Sequence, residues 1–380
     1  LPANPPADLK LIIDNRELRE QIGLTDEDLK KIQSYCLNPN ANDFDTFAMV
    51  YAGHQFGQFV NQLGDGRGIF LGQTNHDYDL HLKGAGKTPY SRFGDGRAVL
   101  RSSIREYIAS EVMNNLNIPT TRAVALFISE EKVLRDSYEP SAVLLRSSLS
   151  HIRFGHFEFF HYRNKSKQVK KLADYVIENY SLFDESAEEP YVNFFQTIVQ
   201  KTAQMISKWQ GVGFCHGVMN TDNFSILGET FDYGPYAFME SLNPEFICNT
   251  SDYEGRYRYS NQPYIGLWNC SALGEALKTL IPEAKIEKIL NTYEREFSSN
   301  LRKIYLDKLG LTEHQPGDDE LIQDFLTLIK NANLDYTQSF RSLVKIIQDE
   351  DVIKGAGSLE KWKKRFLKRH EFEKSDLKDR

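Results

Sequence analysis

Long apolar runs are absent from this sequence. The longest, Ala123–Ile128, falls far short of the roughly 20 residues that a membrane-spanning helix requires. Cysteine is scarce. Cys36, Cys215, Cys248 and Cys270 are scattered, with no CxxC spacing. That argues against a disulfide frame or a zinc site and predicts free thiols in a reducing compartment. Positive charge is in the minority: the net charge is −7, so bulk attraction to nucleic acid is not expected. Internal repeats and low-complexity tracts are missing too. What is present is an ordinary globular balance, 41% hydrophobic and 26% charged over 380 residues, room for one large or two modest domains. The chain begins at Leu1 rather than Met, so it reads as a fragment or a trimmed chain from which a targeting segment could have been removed.

Local signals divide the chain by texture. Residues 1–10 are Pro-rich and read as loose. Thr25 with Asp28 forms an acidic capping box that opens a helix over Asp26–Tyr35. Gly68–Gln73 and Asp79–Lys83 predict paired strands across the turn Asn75–Tyr78. Arg101–Leu116 predicts a helix with Ile104, Tyr107, Ile108 and Val112 on one face. Thr121–Ile128 and Ala142–Leu145 predict further strands. After Arg146 the texture turns helical, with Val169–Tyr180, Tyr191–Gln210 and the helices of residues 270–345. The basic tail Lys361–Arg380, with Trp362 and Phe366 one turn apart, reads as a solvated helix in preference to a nucleic-acid or lipid contact. The layout predicts an α+β chain: a β-rich part over residues 1–145 and a helical part over residues 146–380.

Two stretches carry chemistry. The first is HGVMNTDNFSIL followed by FDYG, which supplies Asp222, Asn223 and Asp232 as hard oxygen ligands of the kind Mg²⁺ takes alongside a substrate phosphate. Phe224–Leu227 and Thr230–Asp232 predict a hairpin across the two-residue turn Gly228-Glu229. The second is residues 83–105, where Lys83, Lys87, Arg92, Arg97, Arg101 and Arg105 face one acid, Asp95, a net +5 in 23 residues. Glycines Gly84, Gly86, Gly94 and Gly96 are interleaved, and Gly64–Gly68 lies upstream. Glycines let backbone N–H groups approach an anion, and guanidinium forks chelate phosphate. Gly86-Lys87-Thr88 ends like a Walker P-loop, but His81 stands where its first glycine is needed. A glycine loop, then the strand lysine Lys83, then the helix glutamate Glu106 is the order of a protein-kinase nucleotide cradle. The kinase HRDxxxxN signature is broken, since no carboxylate stands two places after His216, and no APE signature follows.

Other reactive side chains have blander readings. Cys215 beside His216 reads as a buried apolar residue rather than a thiol dyad. His54 reads as a loop hydrogen-bonder rather than a metal ligand, and His151 and His156 as packing residues or phosphate contacts. Asp95 either caps or orients Arg97 or contacts nucleotide directly.

YAGHQFG (Tyr51–Gly57), QLGDGRG (Gln62–Gly68), the run Asp79–Tyr107, SHIRFGHFE (Ser150–Glu158), HGVMNTDN (His216–Asn223), FDYGPYAF (Phe231–Phe238) and SDYEGRYRYSNQP (Ser251–Pro263) resemble the selenoprotein O (SelO) family of protein adenylyltransferases. The resemblance runs from about Leu11 to about Leu343, with departures at Trp268–Cys270 and Lys87, and the family's further C-terminal region is not seen. It implies a protein-kinase-like, two-lobed fold that binds ATP in a flipped orientation and transfers AMP to protein hydroxyls. By motif, Gly64, Gly66, Arg67, Lys83, Asp95, Gly96, Arg146, Arg153 and Asp232 would contact nucleotide, and Glu106 would pair with Lys83. Asp222 would be the proton acceptor, and Asn223 and Asp232 would hold Mg²⁺ or Mn²⁺. Partners would be proteins with exposed Ser, Thr or Tyr hydroxyls, with no nucleic acid and no membrane. The chain would act as a monomer, in a bacterial cytoplasm or a mitochondrial matrix. Alternatives are a kinase transferring the γ-phosphate and a non-catalytic nucleotide-binding pseudokinase.

Overall fold

The computed structural model describes residues 4–38, 44–347 and 357–371. The chain divides into two compact units. One takes in the chain up to Lys201, Met219–Gly234 and Trp268–Leu290; the other takes in Thr202–Val218, Pro235–Leu267 and the chain from Asn291 onward. Together they are mixed α and β.

The first unit opens with β1 (Lys10–Asp14), α1 (Arg16–Gln21) and α2 (Asp26–Leu37). Thr25 and Asp28 close the expected capping box on α2. There follow β2 (Val50–Gln55), β3 (Gln58–Gly64), β4 (Gly68–Gln73), β5 (Asp79–Lys83), β6 (Ala98–Val99), α3 (Leu100–Asn115), β7 (Arg122–Leu134) and β8 (Tyr138–Ser148). Strands β1-β7-β8-β5-β4 form an antiparallel sheet with β6 joined to β8, and β2–β3 is a separate hairpin. The β4–β5 pair matches the sequence expectation residue for residue.

Side chains alternate across the sheet. Val143 and Leu145 of β8 join the core beneath α1 and α2. Ala142 and Leu144 face the other way, against Leu100, Ile104 and Tyr107 of α3. Lys83 lies opposite Leu144 and His81 opposite Arg146, so His81, Lys83 and Arg146 share the α3 face. The apolar face expected for α3 is only half right. Ile104 and Tyr107 pack on the sheet, but Ile108 is 54% and Val112 39% exposed. The helix buries Ser103, Glu106, Ala109, Ser110 and Met113 instead. Small residues let it approach closely, and Glu106 must face inward to meet the cations on the sheet.

Next come α4 (Phe154–His161), α5 (Ser166–Asn179) and α6 (Pro190–Val212). The loop after α6 does not form the expected two-strand hairpin. Phe224 bridges Thr230, and the turn begins at Ser225, whose carbonyl accepts the N–H of Gly228. The segment is held from outside: Ile226 and Phe154 exchange backbone bonds with Ile152 and Phe224, and Thr230 with Pro119 and Thr121.

The second unit contains β9 (Phe214–Cys215) paired with β10 (Ala237–Phe238). Helix α7 (Gln262–Leu277) spans the division, and α8 (Glu283–Leu290) belongs to the first unit. Helices α9 (Tyr293–Leu309), α10 (Asp318–Asn331), α11 (Tyr336–Arg341), α12 (Leu343–Ile347) and α13 (Gly357–His370) complete the second. Trp362 and Phe366, read from sequence as part of a solvated helix, are buried against Phe325 or each other in its core. The part of the basic tail from residue 372 on lies outside the described residues.

Candidate active site

The site grows from the α3 face of the sheet. Lys83 ends β5 and its Nζ lies 2.5 Å from Glu106 Oε2. Arg146 Nη1 reaches the other Glu106 oxygen at 3.2 Å and Asp232 Oδ1 at 2.6 Å. Arg153, just before α4, donates to Asp232 Oδ2 at 2.6 Å and to the Asp222 carbonyl at 3.0 Å. Lys83 lies 3.7 Å from Asp232. The strand lysine and helix glutamate are therefore paired as expected, and both belong to an alternating chain of charges.

Asp232 has φ 52°, a left-handed conformation that few non-glycine residues adopt but aspartate tolerates. Burial alone would raise its pKa. The charges of Arg153, Arg146 and Lys83 outweigh that and hold the carboxyl well below the usual range. Lys83 is pushed the other way by burial, below the ordinary lysine value.

A second layer fixes Arg146. Its Nη2 donates to His81 Nδ1 at 2.9 Å, and His81 Nε2 meets Asp65 Oδ2 at 3.2 Å. Burial drives the His81 pKa down to about 4, so the ring is neutral. With Nδ1 accepting from the guanidinium, Nε2 must carry the proton and donate to Asp65. Gly68 makes room for the ring: a Cβ there would sit 2.3 Å from His81 Cε1.

Asp222 lies in a single 3-10 turn, Thr221–Asn223. It is 7% exposed, and burial raises its pKa to about 6, against the pull of Arg153. Oδ2 accepts a hydrogen bond from Gln55 Nε2 at 3.3 Å, while Oδ1 is buried without a hydrogen-bond partner. Asn223, partly buried, is the next residue, and its N–H donates to the Asn220 carbonyl.

A cavity of 330 Å³ opens beside Lys83 and Glu106. Arg67, Arg101 and Arg135 supply three more cations to its wall, with Asp136, Tyr233 and Gly234 also lining it. Not all of the basic run reaches this cavity. Arg97 is paired with Glu131, and Arg101 lines the wall while held by Glu139. Asp95 is bound to Arg135 at 2.7 Å and accepts the Arg97 N–H, which is the capping arrangement. Two of the interleaved glycines pack backbone on backbone: Gly96 has φ 75° and its Cβ would lie 2.2 Å from Gly86. Gly64 and Gly66 lie under Tyr90, and Arg67, exposed, follows in the loop between β3 and β4. His54 is a hydrogen-bonder as expected, though it stands in strand β2 and not in a loop, with Nδ1 2.5 Å from Glu158 Oε1. His156 Nδ1 accepts the Arg153 N–H, and His151 stacks on His81. In the second unit the Cys215 Sγ faces the carbonyls of Phe246 and Tyr257, and His216 stacks on Trp209.

Sequence reasoning missed Arg135, His81, Asp65 and Gln55. Gln55, Asp65 and His81 lie within the quoted motifs, but their partners in the site are distant in sequence. Arg135 stands alone in a turn, and Gln55 is 167 residues from Asp222.

The profile of the family described as "Protein adenylyltransferase SelO" matches residues 1–376. The chain belongs to the SelO family. A relative from Vibrio atlanticus (strain LGP32), named protein nucleotidyltransferase YdiU, is 45% identical over 96% of this chain and 78% of its own length. Proteins of the same name from Vibrio cholerae and Klebsiella pneumoniae (strain ATCC 700721 / MGH 78578) are 49% and 51% identical. Those matches cover 87% and 78% of this chain and 68% and 62% of the relatives. Among the described residues no helix is long and apolar enough to cross a membrane.

The residues also fit a divalent ion of restricted kind. Among the described residues no three His, Cys, Asp or Glu side chains group as a metal cage. Each Asp232 oxygen accepts one close hydrogen bond, Oδ1 from Arg146 and Oδ2 from Arg153, which leaves lone pairs free on both. Such a set suits an ion that keeps phosphate oxygens among its ligands.

Proposed function

We propose that this SelO-family chain transfers AMP from ATP to Ser, Thr or Tyr hydroxyls of proteins and releases pyrophosphate. The observation that carries this reading is the charge chain Lys83–Glu106–Arg146–Asp232–Arg153 beside a buried carboxylate, Asp222, with one unpartnered oxygen. Asp222 Oδ1 takes the proton of the acceptor hydroxyl. The hydroxyl oxygen bonds to the α-phosphorus, and the bond from that phosphorus to the bridging oxygen of the β-phosphate breaks. Pyrophosphate leaves with the electron pair. Lys83, Arg146, Arg153 and the cavity arginine Arg67 stabilise the charge that builds on it. A carboxyl with a pKa of about 6 is mostly ionised at neutral pH, yet is a stronger base than a free aspartate. Asn223 and Asp232 would hold Mg²⁺ or Mn²⁺, and the chemistry such an ion supplies is charge neutralisation on phosphate oxygens.

The same reading takes the fold as kinase-like, with a β-rich lobe over residues 1–145 and a helical lobe over residues 146–380. The Lys83–Glu106 pair supports it. Gly64, Gly66, Asp95 and Gly96 keep their nucleotide contacts as part of the proposal, and the bacterial relatives favour a bacterial cytoplasm.

Incubation with α-labelled and with γ-labelled ATP tests the reaction. Protein is expected to keep label from the α position only. Asp232→Ala should abolish transfer, and Asp222→Ala should abolish transfer while still binding ATP. Label kept from the γ position would make the chain a phosphotransferase, and label from neither a nucleotide sensor.

A further inference from the structure

The candidate base is gripped by the β2–β3 hairpin. Three successive residues at its tip meet three successive residues of the catalytic loop. The His54 N–H donates to Thr221 Oγ1 at 2.7 Å. The Gln55 side-chain amide donates to Asp222 Oδ2 at 3.3 Å. The Phe56 N–H donates to Asn220 Oδ1 at 3.2 Å.

The hairpin is itself anchored. His54 Nδ1 pairs with Glu158, fully buried on α4. Gly155 lets α4 close on β2, since a Cβ there would lie 2.2 Å from the Ala52 carbonyl oxygen. Gly53 does the same for the base: its Cβ would stand 2.8 Å from Asp222 Oδ1. The two oxygens of Asp222 are thereby made unequal. One is tied to Gln55, and the other, buried, has no hydrogen-bond partner.

We infer that Gln55 and the Thr221 hydroxyl are positioning residues, which hold Asp222 so that Oδ1 alone is presented to the acceptor hydroxyl. This rests on the proposed transfer reaction. A carboxylate that can rotate presents its lone pairs to the acceptor only part of the time, so loosening it lowers turnover without touching ATP. The backbone donor of His54 cannot be removed by substitution, but its acceptor can. Thr221→Val deletes the hydroxyl at nearly constant volume, and Thr221→Ser keeps it.

The test measures AMP transfer from α-labelled MgATP to casein and to the chain itself. Gln55→Leu is expected to lower kcat about tenfold, the worth of one hydrogen bond to a charged group, and Thr221→Val, which loses a neutral hydrogen bond, about fivefold. The KM for ATP should stay within about twofold, as for an interaction used only in the chemical step. Thr221→Ser should recover most of the turnover that Thr221→Val loses. Unchanged kcat in Gln55→Leu, a fall expressed only in KM, or Thr221→Ser as impaired as Thr221→Val overturns the inference while leaving the reaction intact. Wild-type protein that transfers no AMP overturns the proposed function and this role with it.

Discussion

At the scale of single residues, the loop that carries Asp222 also carries a carboxyl with a different task. Glu229 Oε2 lies 2.5 Å from Ser148 Oγ. That hydroxyl also lies 2.8 Å from the Ser150 carbonyl and accepts the Ser150 N–H. One hydroxyl proton cannot serve both the carbonyl and the carboxylate. A protonated Glu229 resolves the conflict by donating to Ser148, which then donates to Ser150. Burial, with a smaller contribution from Asp79, pushes the Glu229 pKa up from 4.5 to about 7. The folded state therefore holds a proton that the unfolded chain has released. Stability from this group is complete below pH 4.5, is lost as the pH rises towards 7, and stays lost above it. Glu229→Gln keeps a donor for Ser148 and has no proton to lose. With allowance for partial solvent access, it should stabilise the protein by about 2 kcal/mol at pH 8 and by little at pH 5, read from urea unfolding at both pH values. An equal effect at the two pH values would mean that Glu229 is ionised in both.

Among the elements, α3 shows where a pattern of apolar residues misleads. The spacing of Ile104, Tyr107, Ile108 and Val112 marks a face, but an ion pair has a claim on the helix too. Glu106 has to face Lys83 and Arg146, and that turns Ile108 and Val112 outward. Ile108→Gln should then change stability by less than about 0.5 kcal/mol, as surface substitutions do. Met113→Ala, at a fully buried position, should cost about 2–5 kcal/mol. Chemical denaturation of the two variants decides between the faces, and the reverse order of effects would restore the sequence-based one. Local features were legible beforehand. The capping box on α2 and the β4–β5 pair rest on residues within a few positions of each other, where turn chemistry and alternation decide. So was the lysine–glutamate pair, from the order of glycine loop, strand lysine and helix glutamate that a kinase nucleotide cradle shares. The turn at 225–228 was misread since its pairing partners, residues 119–121 and 152–154, lie elsewhere in the chain. The hold of Gln55 on Asp222 and the placing of Arg135 at the cavity were hidden for the same reason. Only the folded chain brings them to the site.

For the molecule as a whole, charge is distributed against its average. The chain carries −7, yet Lys83, Arg146 and Arg153 converge on Asp232, and Arg67, Arg101 and Arg135 line the adjoining cavity, where Arg101 is paired with Glu139 and Arg135 with Asp95. This gathering of cations around Asp232 is suited to a polyphosphate and hostile to a bare dication. A free Mg²⁺ approaching Asp232 meets three cations already bound to that carboxylate, whereas a metal nucleotide brings its own negative charge and phosphate ligands. Binding should be ordered accordingly, with metal entering together with nucleotide. Thermal unfolding reads this out, because any ligand of the folded state raises the midpoint by mass action. MgATP at about a hundredfold over its Kd should add about 2.7 kcal/mol of stability. Mg²⁺ alone at the same concentration should add almost none, and ATP in the presence of EDTA should retain part of the effect, since the arginines grip phosphate without metal. A midpoint raised by Mg²⁺ alone as far as by MgATP would show that a carboxylate cage, not a basic cradle, dominates the site. Stabilisation that vanishes in EDTA would show that the cations of the sheet contribute little to holding the nucleotide.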